Sequence, residues 1–217
     1  KHIDIKGKWI QKPKSIDVAL LAFFLLKYTE QSERIKPAMD EIYAIILQHL
    51  EDDQLLCYRK SANRVRFVDT LGLVCPFLCL YGTKYNNINA VNLAIQQISE
   101  YEKHGKHPYS KLPVHAYDAY TYMPLGLYGW GRGAVWYILS ICESYMVLEN
   151  SDEKNYLKQI ILKSGFEFQG FQNDNGGVGW LIPNFKTYDS SATAGYGYFY
   201  AFLYQMTNKK EYYIISK

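Results

Sequence analysis

Apolar positions recur along this chain with the 3.6-residue spacing of helices, and the segments they mark come in pairs. An apolar stretch at 16–31, with Ser15 as a candidate N-cap, precedes an amphipathic one at 32–50 whose polar face carries Glu33, Arg34, Asp40 and Glu41. The run 69–81 is apolar throughout, contains Pro76, where a kink is expected, and is predicted to close at Gly82. Its partner, 87–104, is amphipathic and ends at Gly105. Further helices are predicted at 135–147, 152–168 and 190–206, with a last one beginning at 208. Residues 51–68 read as an irregular connection with room for a short strand, and 106–129 as a long loop rich in Pro, Tyr and His. No strand pattern competes with the helical one.

The order of these segments predicts an architecture. The first members of the pairs start near 17, 69, 133 and 190, at spacings of about 52, 64 and 57 residues, as in a helix-hairpin repeat. Each first member is more apolar than its partner. A helix apolar all round must be buried on every side, so the first members belong in an inner ring and the amphipathic ones outside. The fold class is therefore all-α, an (α/α) toroid of about four hairpins. In such a toroid the inner helices run parallel and start on one rim. Standing at those starts are Asp17, Asp69, Arg132 and the group Asp189, Ser190 and Ser191. Capping alone also favours Asp and Ser there.

Composition narrows the field. At 217 residues and 48% hydrophobic, the chain can bury the core of one domain over 1–217, or of one large piece of a longer barrel. A net charge of +3, with lysines scattered, lacks the basic stripe of a nucleic-acid binder. No apolar run reaches the length of a membrane span; the longest, 16–26, contains Asp17. The polar N-terminus, with Trp9 and Pro13, is not a signal peptide, although the chain does not begin with Met. Cys57, Cys75, Cys79 and Cys142 lack the His or Cys neighbours of a metal site. They read as free thiols in a reducing, cytoplasmic compartment. The 21 tyrosines suit sugar-facing walls as well as helix packing.

The densest chemistry lies between Tyr128 and Trp136, where three glycines surround Trp130 and Arg132. Glycines allow a tight turn and a close ligand approach. Arg132 and Trp136, four apart, share one helix face. A guanidinium fork beside indoles suits a ligand with a carboxylate and a flat ring. The plainer alternative puts Trp136 in the core and pairs Arg132 with a structural acid.

Four motifs in order then resemble a known group, the unsaturated glucuronyl and rhamnogalacturonyl hydrolases of glycoside hydrolase families 88 and 105. They are Arg66-Phe67-Val68-Asp69-Thr70-Leu71, His115-Ala116-Tyr117-Asp118, Trp130-Gly131-Arg132-Gly133-Ala134-Val135-Trp136, and Asp189-Ser190-Ser191-Ala192-Thr193-Ala194. The resemblance implies an (α/α)6 barrel of six hairpins. It implies removal of a 4,5-unsaturated uronic acid from the non-reducing end of an oligosaccharide, with no metal or organic cofactor. In that chemistry an Asp protonates the enol-ether double bond, unlike the paired-carboxylate displacement of most glycosidases. Asp69 corresponds to the acid, Asp17 to a second pocket aspartate, and His115, Asp118, Trp130, Arg132, Trp136, Phe67 and Tyr58 to substrate-binding positions. The implied partner is an oligosaccharide with an acidic end, and the oligomeric state is not indicated.

The departures from the pattern are Phe67 where Trp is frequent, Tyr58 where one branch has His, and Ala134 in the arginine motif. They bear on substrate identity more than on reaction type. The alternative function is a carbohydrate-binding or scaffold relative of the same barrel, linked to capsule or exopolysaccharide metabolism. A physical tension also stands out. A helix N-terminus lowers a carboxyl pKa, whereas a general acid needs it raised, by burial or by a second carboxylate.

Overall fold

The computed structural model describes residues 2–182 and 186–216. Its helices form consecutive hairpins: α1 (Val18–Tyr28) with α2 (Ser32–Leu47), α3 (Val68–Tyr85) with α4 (Ile88–His104), α5 (Gly131–Val147) with α6 (Asp152–Glu167), and α7 (Ser190–Thr207) with α8 (Lys210–Ile215). The odd-numbered helices form the inner layer, as their composition predicts. Every residue of α3 from Thr70 to Gly82 is buried, because α3 packs against α1, α4 and α5 at once. A Cβ at Gly72 would lie 2.6 Å from the Trp136 carbonyl oxygen, so α3 and α5 approach at a distance only glycine permits. The outer helices bury single stripes, such as Ile35, Ala38, Met39, Ile42 and Ile46 of α2. No helix among the described residues is long and apolar enough to cross a membrane.

Two helix boundaries differ from the sequence expectation. α3 begins at Val68, one residue before Asp69, and runs through Gly82 to Tyr85, where Asn86 takes the left-handed capping conformation at φ 54°. Gly82 is not a stop. A Cβ there would lie 2.5 Å from the Val91 side chain, so its role is close packing of α3 on α4. At α1, Asp17 and not Ser15 occupies the N-cap position, and the Ser15 hydroxyl donates to the Asp17 carboxylate at 3.2 Å.

The helical class holds, but the connections contain a small antiparallel sheet that the periodicity did not reveal. β1 (Val65–Phe67), β2 (Val114–Asp118) and β3 (Pro124–Tyr128) lie in the order β1-β2-β3. Phe67 pairs with Ala116, and Ala116 with Leu125; the β2–β3 register is irregular between Val114 and Ala116. The sheet ties two rim positions together, since β1 runs into α3 and β3 leads into α5. Buried polar contacts anchor it from below. The Tyr101 hydroxyl donates to the Val114 carbonyl at 2.6 Å, and Arg66, almost fully buried, pairs with Asp53 at 2.7 Å.

Candidate active site

Asp69 is the second residue of α3, placed by β1 immediately before it. Its side chain is mostly buried, and its Oδ2 has no hydrogen-bond partner. A buried carboxylate oxygen without a partner is costly. Burial drives its pKa above the ordinary value, against the lowering effects of its own backbone hydrogen bond, His115 and Arg132, and the Asp17 charge adds to the rise. Burial thus supplies the lift that a general acid at a helix start requires.

His115 on β2 brings its Nε2 to 3.7 Å from Asp69 Oδ2. Its ring meets Phe67 at 5.4 Å and Trp130 at 4.8 Å between centroids, both edge-on. Phe67 in turn meets Tyr58 at 5.9 Å. The Arg132 guanidinium lies 5.4 Å from the Trp130 ring centroid, within the range of a cation–π contact. A continuous line therefore runs from Tyr58 through Phe67, His115 and Trp130 to Arg132, with Asp69 beside its middle.

Arg132 is the second residue of α5, the counterpart of Asp69 on α3. Its Nε approaches Asp189 Oδ2 at 3.9 Å, and its side chain is about half exposed, 54%. The structural-acid alternative is thus met only by a long, solvated contact, which leaves the fork open to a ligand. Asp189 itself is committed elsewhere, since it caps α7 by accepting from Ala192 N–H at 2.9 Å and from the Ser191 hydroxyl. Partial burial pushes its carboxyl up, but these donors and Arg132 outweigh it and hold the pKa below the ordinary value. The sequence showed Asp189 only as a helix start; its proximity to Arg132 comes from the loop before α7, which Gly131 N–H binds at the Trp180 carbonyl, 2.7 Å.

The remaining candidates divide. Asp17 stands exposed at the start of α1, near enough for its charge to act on Asp69 and on Tyr58. Burial first, and the Asp17 carboxylate second, push the Tyr58 hydroxyl up to about 12, so it stays protonated as a donor. Trp136 is half-buried, its ring packed on Gly72 a turn below Asp69. Asp118 is not brought to the cluster. Its carboxylate accepts from the backbone of Tyr120 and Thr121 at 3.0 and 2.9 Å and pairs with Arg64 at 3.2 Å. Those bonds, the Thr121 N–H first, hold it down to about 2, and it closes the β2–β3 turn.

Inner helices that start together on an aromatic, charged rim place this molecule among the (α/α)-barrel proteins with a site at one mouth. Within that class the chain belongs to Glycosyl Hydrolase Family 88, whose family model matches residues 1–213. No curated protein sequence matches it. Among solved structures it is similar to a C. acetobutylicum ATCC 824 glycoside hydrolase of family 105, at 16% identity and TM-score 0.82, over 99% of this chain and 65% of that one. It is also similar to the unsaturated glucuronyl hydrolase of Bacillus sp. GL1, at 15% and 0.68, over 93% and 59%. A cellobiose 2-epimerase from Bacillus thermoamylovorans B4167 shares the fold at 12% and 0.67, over 98% and 64%. The chain thus spans about three fifths of the length of these structures, and the fold alone does not select a reaction.

Proposed function

We propose that this chain is a glycoside hydrolase that removes a 4,5-unsaturated uronic acid from the non-reducing end of an oligosaccharide. The observation that carries this reading is the Asp69 carboxyl, desolvated and with its Oδ2 lacking a hydrogen-bond partner, beside His115 and near an open Arg132 fork. A carboxyl of raised pKa holds its proton to higher pH than an ordinary Asp. Arg132 offers the uronate carboxylate a planar bidentate partner, and Trp130 a face for the flattened, unsaturated ring.

In the proposed reaction Asp69 donates its proton to C4 of the C4=C5 double bond. The cation left at C5 is stabilised by the ring oxygen. Water adds at C5 and returns a proton to the Asp69 carboxylate, so the acid is regenerated. The resulting hemiketal opens to a C5 ketone and a C1 hemiacetal, whose collapse to the aldehyde breaks the glycosidic bond and releases the second sugar. Asp17 and Tyr58 supply a negative charge and a donor near Asp69. All four cysteines are buried as free thiols.

The test uses unsaturated disaccharides prepared from pectin, glycosaminoglycan and rhamnogalacturonan digests. Hydration removes the double bond, so its ultraviolet absorbance falls as the reaction proceeds. Turnover of one substrate by the wild type and none by Asp69→Asn is expected. Binding of the panel without any turnover would instead favour a carbohydrate-binding relative.

A further inference from the structure

His115 sits where β2 and β3 fall out of register. Val114 pairs with Tyr128 and Ala116 with Leu125, so two residues of β3, Gly126 and Leu127, oppose the single residue His115. That is the count of a β-bulge, a device that re-aims a side chain. Gly126 has φ +86°, in the region L residues rarely adopt, and a Cβ built on it would lie 3.2 Å from both the Cβ and the Nδ1 of His115. The imidazole is thus bounded by the Gly126 backbone at its Nδ1 edge, by Asp69 at Nε2 and by the edge-on rings of Phe67 and Trp130, with the remainder open to solvent.

We infer that Gly126 is a positioning residue whose bare backbone, at the centre of the β3 bulge, seats the His115 imidazole against Asp69. Two properties are needed together. The positive φ produces the bulge, and the missing Cβ leaves room for the ring. The consequence for catalysis rests on the proposed function, but the seating of the ring does not.

The molecule supplies its own control. Gly170 has nearly the same φ, +83°, yet a Cβ there would meet nothing within 4 Å. Gly126→Ala and Gly170→Ala therefore impose similar backbone strain, and only the first introduces an atom against His115. Both should lower the melting temperature by similar amounts. The imidazole resonances of His115, assigned by loss in His115→Gln, sit beside the Trp130 ring and report its position by ring-current shift. They should move in Gly126→Ala and stay in Gly170→Ala. On the unsaturated disaccharides, Gly126→Ala should lose about tenfold or more in kcat/KM, the scale expected for sub-ångström misplacement of a reacting group, with the loss in kcat. Gly170→Ala should keep wild-type kinetics. If Gly126→Ala does not fold, Gly126→Asn carries the same Cβ on a residue more tolerant of positive φ. His115 resonances unchanged in the folded Gly126 variant, or shifted equally by Gly170→Ala, overturn the inference. A wild type silent on every disaccharide would overturn the proposed function, while the resonances still decide the role of Gly126.

Discussion

Replacing Asp69 by Asn separates a catalytic carboxyl from a structural one, because the two roles predict opposite changes in stability. The raised pKa of Asp69 means that the folded protein disfavours its charged form relative to the unfolded chain. Each tenfold gain in its proton affinity on folding corresponds to about 1.4 kcal/mol of stability withheld once the group ionises. Asn carries no charge to desolvate. It does give up the attraction of an anion to a helix N-terminus, about 0.3–1 kcal/mol at exposed sites, and the pairing with His115. The direction of the pKa says that these attractions together fall short of the desolvation cost. The sign follows from proton linkage. Between the ordinary Asp value of 3.8 and the raised folded value, the native state binds more protons than the unfolded one, so wild-type stability falls as pH rises through that window. Urea unfolding of both proteins from acid to neutral pH should show equal stability below the window, with Asp69→Asn the more stable above it. Activity should fall by about a hundred- to ten-thousand-fold, the usual worth of a positioned proton donor, equivalent to about 3–5 kcal/mol of barrier. A variant less stable than wild type at neutral pH, or a stability gap independent of pH, would refute the assignment.

Arg132→Lys should weaken binding of an unsaturated uronyl disaccharide to Asp69→Asn protein by about tenfold or more, read by calorimetry, because an ammonium cannot reproduce the guanidinium fork. Equal affinity would make Arg132 structural. Lys106, buried between Glu102 at 2.6 Å and Glu167 at 3.4 Å, should resist replacement. Lys106→Met leaves those carboxylates only the longer, exposed contacts of Lys163, at 3.8 and 3.6 Å, and should cost about 3 kcal/mol in denaturant unfolding. Asp118→Asn should speed hydrogen exchange at the Tyr120 and Thr121 amides while leaving kcat unchanged, since its carboxylate closes a turn and does not face the site. A fall in kcat with unchanged exchange would return Asp118 to the site.

How much could be read in advance depended on whether the cause was local. The inner helices were legible because a segment apolar on every face has one place to go, between two layers, and from that the shared rim follows. Asp69 and Arg132 were legible because each stands at the start of such a helix. The sheet was not. β1 has three residues, β3 contains Pro124 and Gly126, and the β1–β2 pairing joins residues about fifty apart in sequence, so short windows carry little of its signal. That omission explains the misplacement of Asp118. In a loop, His115 and Asp118 could face one ligand; on a strand, residues three apart project from opposite faces. The strand sends His115 to Asp69 and Asp118 to the turn and Arg64. Gly82 shows the same dependence on partners. A glycine after an apolar run signals a stop only if its freedom is spent on the backbone, and here it is spent on contact with Val91 of α4. The residues that place His115 and Asp69 together are thus supplied by long-range pairing, while the candidate catalytic residues are announced by helix starts.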